Sequence, residues 1–165
     1  MRRGVLIIAL VAVATGCGGS GSKGADHKKN SKRPVVGGPA AEFAVGLRRH
    51  LGRQEFGALW QSLHPAHKRL FRDQGTLAAC LAESQDQVYG SPNAPARAAA
   101  LRPQRWRIPG TRLVVPTQAV RMQLLNPLHQ SSVIDSWTEH VLKINGRWFW
   151  IAQPREVDSL KQGFC

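Results

Sequence analysis

The sequence predicts an α+β fold, with N-terminal helices packed on one face of a curved antiparallel sheet. Three observations carry this. Apolar residues recur at i, i+3, i+4 and i+7 from Ala40 to Leu81. From Arg105 onward they alternate instead. Asn145-Gly146, a strong two-residue hairpin signal, joins two of the alternating runs. Helices first and antiparallel strands after them is an α+β order.

Pro39 suits the first turn of a helix whose apolar face is Ala40, Phe43, Ala44, Leu47 and Leu51. Arg48, Arg49 and Arg53 are assigned to its other side. Phe56, Leu59, Trp60 and Leu63 repeat the spacing until His64-Pro65, because a residue before proline avoids the helical region. Pro65 starts a short third helix to Phe71. Thr76 is the expected N-cap of a fourth, Leu77 to Ser84, with Leu77, Cys80 and Leu81 on one face. Tyr89 to Gln104 reads as loop, with a helical turn at Ala96 to Leu101. Strands are expected over Arg105–Val115, broken at Pro109-Gly110, then over Thr117–Leu125, Ser132–Ile144 and Arg147–Ala152. Asp158 to Cys165 reads as a short tail.

The chain has 165 residues and a formal net charge of +13. Sixteen Lys and Arg from Arg48 to Lys161 face nine acids, so the domain carries about +7 of it. That charge alone is no nucleic-acid signature, and no nucleic-acid partner is expected.

Met1-Arg2-Arg3 precedes ten apolar residues, Val5 to Ala14. A membrane-spanning helix needs about twenty, whereas a secretory leader needs about 7–15, so export is the reading. Ala12-Val13-Ala14 matches an ordinary signal peptidase site. Ala14-Thr15-Gly16-Cys17 instead resembles the lipobox of bacterial lipoproteins, which implies cleavage before a diacylglyceryl-modified Cys17. Ala14 stands where that pattern usually has leucine. Two acyl chains anchor stably where one does not. The glycine- and lysine-rich stretch to Gly38 cannot offset its ordering entropy by burial. As a flexible coil it reaches roughly 25 Å. The expected layout is therefore a leader at 1–16, a basic tether at 17–38 and one domain at 39–165, held at the outer face of the bacterial cytoplasmic membrane.

The block EFGALWQSLHPAHKRLF, then LAAC, then VLKINGRWFWI and a terminal cysteine resemble the nuclear transport factor 2-like (cystatin-like cone) superfamily. More narrowly, the chain is similar to small exported lipoproteins of that group over residues 40–165. The resemblance implies a bent sheet that wraps the helices into a cone with an apolar pocket. Members include ketosteroid isomerase-like enzymes, dehydratases and binding proteins, so the fold constrains function poorly.

Cys80 and Cys165 are expected to pair, because an exported chain meets an oxidising compartment. The loop closed would be worth roughly 4–5 kcal/mol as an upper figure. Free thiols or a metal site are the alternatives, although no further ligands stand at metal spacing. No cofactor is expected.

Asp135 and His140 are the catalytic candidates. Asp135 and Glu139 share one face of their strand by period two, and His140 takes the other with Ile134, Leu142 and Ile144. No acid–base pair is evident, and the one Tyr, Tyr89, lies in a loop. Trp60, Trp137, Trp148 and Trp150 are candidate pocket residues; core packing is the plainer account. His64 and His67, flanking Pro65, are read as exposed polar side chains. Arg97, Arg102, Arg105, Arg107, Arg112 and Arg121 form a basic region, solvated or facing anionic lipid, wall polymer or an acidic partner. The leading expectation is a non-enzymatic, lipid-anchored domain that binds a small apolar ligand or an envelope protein. The alternatives are a ketosteroid isomerase-like enzyme (isomerase, dehydratase or hydrolase) and an accessory domain contacting anionic envelope polymers. The sequence leaves the oligomeric state open.

Mass spectrometry of the mature N-terminus checks the leader. The expected product begins at Cys17 and carries the diacylglyceryl mass; an unmodified chain beginning at Thr15 contradicts it.

Overall fold

The computed structural model describes residues 35–88 and 94–165. The leader, Cys17, the tether as far as residue 34 and Tyr89 lie outside the described residues. The element order is β1 (Val35–Val36), α1 (Pro39–Gly52), α2 (Phe56–Ser62), α3 (Pro65–Phe71), α4 (Gln74–Val88), β2 (Ala96–Arg107), β3 (Val114–Leu125), β4 (Val133–Ile144), β5 (Arg147–Trp150) and α5 (Pro154–Lys161). The class is α+β. The strands form one antiparallel sheet in the order β1-β2-β3-β4-β5, so each strand pairs with its neighbours in sequence.

The first three helices run where the apolar spacing puts them. Pro39 and Pro65 both open helices, and His64 Nδ1 accepts from the Ala66 amide to cap α3. The fourth starts earlier than expected. Asp73, not Thr76, is its cap: Asp73 Oδ1 accepts from the Thr76 amide at 2.8 Å and Oδ2 accepts from the Thr76 hydroxyl at 3.1 Å. Thr76 therefore sits in the first turn as a donor.

Two further expectations are corrected. Ala96 to Leu101 is not a helical turn but the first half of β2, and the strand begins well before Arg105. Alanine favours helix by intrinsic propensity, but here partners on both sides override it. Ala99 and Ala100 pair with Val36 and Val35 in β1 and with Arg121 and Val120 in β3. The ladder shifts register between Ala100 and Pro103, where a proline without an N–H is tolerated. The C-terminal tail is the second correction. Pro154 begins α5, which buries Val157 against the helices. A proline at the first position starts this helix rather than ending a strand. The hairpin at Asn145-Gly146 forms, with positive φ at both residues (49° and 82°), as its turn type requires.

One face of the sheet meets the helices. Ala98, Val120, Met122, Val141 and Trp150 pack in a single cluster with Ala44, Leu47 and Leu51 of α1, Leu59 of α2 and Leu77 and Leu81 of α4. Trp150 Nε1 donates to Leu59 O at 2.9 Å, and the His64 amide donates to Trp150 O at 2.9 Å, which ties β5 to the α2–α3 joint. A second cluster joins Ala66, Ile108, Leu142 and Ile151, with Trp106, Val115, Ile144 and Phe149 packed against it. Cys80 in α4 and Cys165 lie at disulfide distance with Cα atoms 5.0 Å apart, which holds the C-terminus on α4.

His67 is the polar joint of this layer. It is fully buried, and His64 nearly so, which corrects the surface reading of both. His67 Nδ1 accepts from the Ala152 amide at 3.0 Å, and Nε2 donates to Pro109 O at 2.9 Å. One neutral ring thus links α3 to the end of β5 and to the β2–β3 turn. Burial depresses its pKa to about 4. Gly110, beside Pro109, has a φ of +73°, and a Cβ there would stand 2.7 Å from Val157 Cγ1 and 2.9 Å from Leu70 Cδ2. The turn is therefore pressed against α3 and α5.

Substituting His67→Ala leaves the Ala152 N–H and the Pro109 carbonyl unpaired in a void. The expected cost is about 3–4 kcal/mol by urea denaturation; a loss under about 1 kcal/mol would show that the joint is dispensable.

Candidate functional site

Polar side chains from three elements meet in the helix–sheet core. Arg48 comes from α1 and Glu139 from the inward face of β4. Gln153 and Glu156 come from the start of α5. The alternation of β4 places Trp137, Glu139 and Val141 on the inward face, opposite Met122, Val120 and Gln118 of β3. Arg48 follows Ala41 and Ala44 at helical spacing and is 5% exposed. That overturns its assignment to the outer side of α1; Arg49 and Arg53 are exposed as expected.

Between these groups lies a cavity open to the centres of water-sized molecules over about 40 Å³. This is room for about three waters or a few ligand heavy atoms. Leu47, Leu51, Leu59, Leu81, Met122 and Trp150 make its apolar wall. Glu139 is held in place: Oε1 accepts from Trp137 Nε1 at 2.7 Å and Oε2 accepts from Gln153 Nε2 at 2.9 Å. Gln153 Nε2 also donates to Thr138 O at 3.0 Å, so α5 is registered on β4. Glu156, 2% exposed, accepts from Arg155 Nε through Oε1 at 2.8 Å. Its Oε2 is buried with no hydrogen-bond partner among the described residues.

Burial pushes the Glu139 carboxyl up to about 7; the hydrogen bond from Trp137 opposes this, the nearby Glu156 adds to it, and the bond from Gln153 opposes it again. Burial also raises Glu156, against the hydrogen bond and charge of Arg155. Burial lowers Arg48, which lines the same cavity.

The two catalytic candidates stand elsewhere. His140 points from the opposite face of β4, where its ring stacks on Trp106 with centroids 3.7 Å apart and planes 11° from parallel. Its Nδ1 lies 3.3 Å from Thr117 Oγ1, whose proton goes to Gln104 O at 3.1 Å. Burial lowers its pKa to about 4, so the ring is a neutral packing group. Asp135 is half-buried on β4, where its Oδ1 accepts from the Ser136 amide at 2.7 Å. Neither lines the cavity.

The tryptophans divide. Trp137 and Trp150 form cavity wall without filling it. Trp60 lies under the Lys68 ammonium, 5.7 Å from the ring centroid, and Trp148 stacks on Phe43 at 6.1 Å; neither reaches the cavity.

No family model, curated protein or solved structure matches this chain. The site is therefore read from its own geometry. Among the described residues there is no group of three or more His, Cys, Asp or Glu placed to hold a metal, and no helix long and apolar enough to cross a membrane. What the arrangement offers is a small, mostly apolar chamber with one uncommitted acceptor and one carboxyl group that titrates near neutrality.

Sequence reading missed Arg48, Gln153 and Glu156 as site residues. The signal for Glu139 was present: an acid set between Trp137 and Val141 at period two lies on the face that packs.

The carboxyl of Glu139 sets a pH dependence. Its folded pKa of about 7 lies above the unfolded value of about 4.5. Its contribution is thus fully present below about pH 4.5 and lost as pH rises through 7. Glu139→Gln removes this loss. The melting temperature of the variant relative to wild type should rise by several degrees between pH 5 and pH 8, for about 2–3 kcal/mol. A difference that stays constant across that range contradicts the assignment.

Proposed function

We propose that this chain is an exported, lipid-anchored domain of the nuclear transport factor 2-like cone type that binds a compact, mainly apolar ligand bearing one hydroxyl or amine. The observation that carries the reading is the buried Glu156 Oε2. It is an acceptor with no hydrogen-bond partner among the described residues, and its side chain lines the cavity with Arg48, Glu139 and Gln153, against a mainly apolar wall. An unmet buried acceptor costs about 1–3 kcal/mol, which a ligand donor recovers on binding. Leu47, Leu51, Met122 and Trp150 supply the apolar contact. The α+β class, with an antiparallel meander and a chamber between sheet and helices, is compatible with such a cone. The apolar leader and the lipobox-like Ala14-Thr15-Gly16-Cys17 support export and attachment to the membrane through Cys17.

A second reading draws on Glu139. A carboxyl group held near pKa 7 inside a small chamber suits proton transfer at neutral pH, as an isomerase or dehydratase of the ketosteroid type requires. Its Oε1 and Oε2 are both engaged by donors, so binding accounts for more of the site than catalysis does.

The indole N–H signals of the five tryptophans report on the site by NMR. Titration with isobutanol should move the Trp137 and Trp150 signals saturably, and leave Trp60, Trp106 and Trp148 in place. Glu156→Leu should abolish the preference for isobutanol over the isosteric alkane. Shifts absent from Trp137 and Trp150, or spread equally over all five, contradict the reading.

A further inference from the structure

The thirty residues from Ala96 to Leu125 carry six arginines and no acid. The structure makes a surface of part of this run. Along the inward face of β3, burial falls away from Val120 and Met122 to the half-buried Gln118 and then to exposed Pro116 and Val114. This face of the β2–β3 ladder is thus open toward its Arg107–Val114 end. Register places Arg105 opposite Pro116 and Arg107 opposite Val114, so two guanidinium groups and two apolar side chains share one face as direct cross-strand neighbours. All four are exposed. The turn beyond them adds exposed Arg112 and Leu113, the latter 44% exposed. Arg105, Arg107 and Arg112 form no salt bridge with an acid among the described residues. The turn does not hang free, because Gly110 is pressed on Val157 and Leu70.

The chain enters the domain toward this same end. β1 runs antiparallel to β2 with Val35 opposite Ala100 and Val36 opposite Ala99, so its N-terminal end points along β2 toward Arg107. From Ala100 to Arg107 is seven residues of strand, roughly 23 Å. The tether read from composition reaches about the same distance.

We propose that Arg105, Arg107 and Arg112, with the exposed Leu113 and Val114, are a docking surface for an anionic lipid bilayer. The arginines meet the headgroup charge while the two aliphatic side chains enter the interface. This rests on the anchored reading above, and it adds that the domain lies on the membrane with a fixed face instead of hanging from its tether.

The test uses the mature, lipid-bearing chain reconstituted into phosphatidylcholine vesicles with and without phosphatidylglycerol, read by hydrogen exchange of residues 103–116. Exchange should slow several-fold on the anionic vesicles alone. It should return to the neutral-vesicle rate at about 1 M salt, where the Debye length is about 3 Å. Arg105→Gln/Arg107→Gln/Arg112→Gln should remove the protection, and Leu113→Asp should weaken it. Equal exchange on both vesicles, or protection that survives the triple substitution, overturns the proposal. Equal protection on neutral vesicles by a soluble glycerol-phosphate polymer also overturns it, and assigns the surface to anionic polymer. Retention on neutral vesicles reads the anchor separately: a chain that washes off them has lost the anchored reading, while the anionic arm still decides the surface.

Discussion

A carboxyl group on the inward face of a central strand is the constraint around which the helix layer is organised. Glu139 stands between Trp137 and Val141 on β4, where an aliphatic side chain would be expected. Taking an ionised carboxylate out of water without partners costs far more than any single packing contact returns. Two donors help to meet that cost. β4 itself supplies the indole donor of Trp137, and the residue before α5 supplies the amide of Gln153. α1 adds Arg48 to the cavity wall. α5 also adds a second carboxyl, Glu156, which raises the cost and has one oxygen unmatched among the described residues. A fold selected for stability alone would place leucine at such positions. The unmatched oxygen is the observation on which the proposed ligand rests.

The two faces of β4 show what sequence could and could not reveal. Period two separated Glu139 from His140 correctly. Which face bore chemistry was not legible, because the deciding neighbours come from remote parts of the chain. His140 is quenched by Trp106 and Thr117 from β2 and β3, while Glu139 is met by α5. The helices α1 to α3 were legible because each carries its own apolar stripe and its own proline boundary. β2 was not, because Ala-Arg-Ala-Ala-Ala-Leu has helical propensity and becomes strand only through pairing with β1 and β3. Arg48 was misplaced for a different reason: its position on the helical stripe was right for burial, but its residue type argued for solvent.

The molecule also divides its charge by layer. The enclosed site holds two carboxyls and one guanidinium, whereas the exposed end of the β2–β3 ladder is cationic throughout. His67 connects the two regions. It binds the turn that follows the arginine strand to the backbone that leads into α5, so the position of Gln153 and Glu156 depends on the same joint that seats the turn. The Cys80–Cys165 pair fixes the other end of that segment on α4. Between these two fixed points α5 has little freedom, which is what a helix that forms one wall of a small chamber requires.

The central claim is that the cavity carries a half-buried carboxyl group whose pKa is raised by the layer packed around it. The most direct measurement is a pH titration of the Glu139 side-chain carboxyl carbon by NMR, assigned by comparison with Glu139→Gln. The account predicts a midpoint near pH 7. A midpoint near the ordinary glutamate value of about 4.3 would mean that water reaches the group freely and would contradict the account.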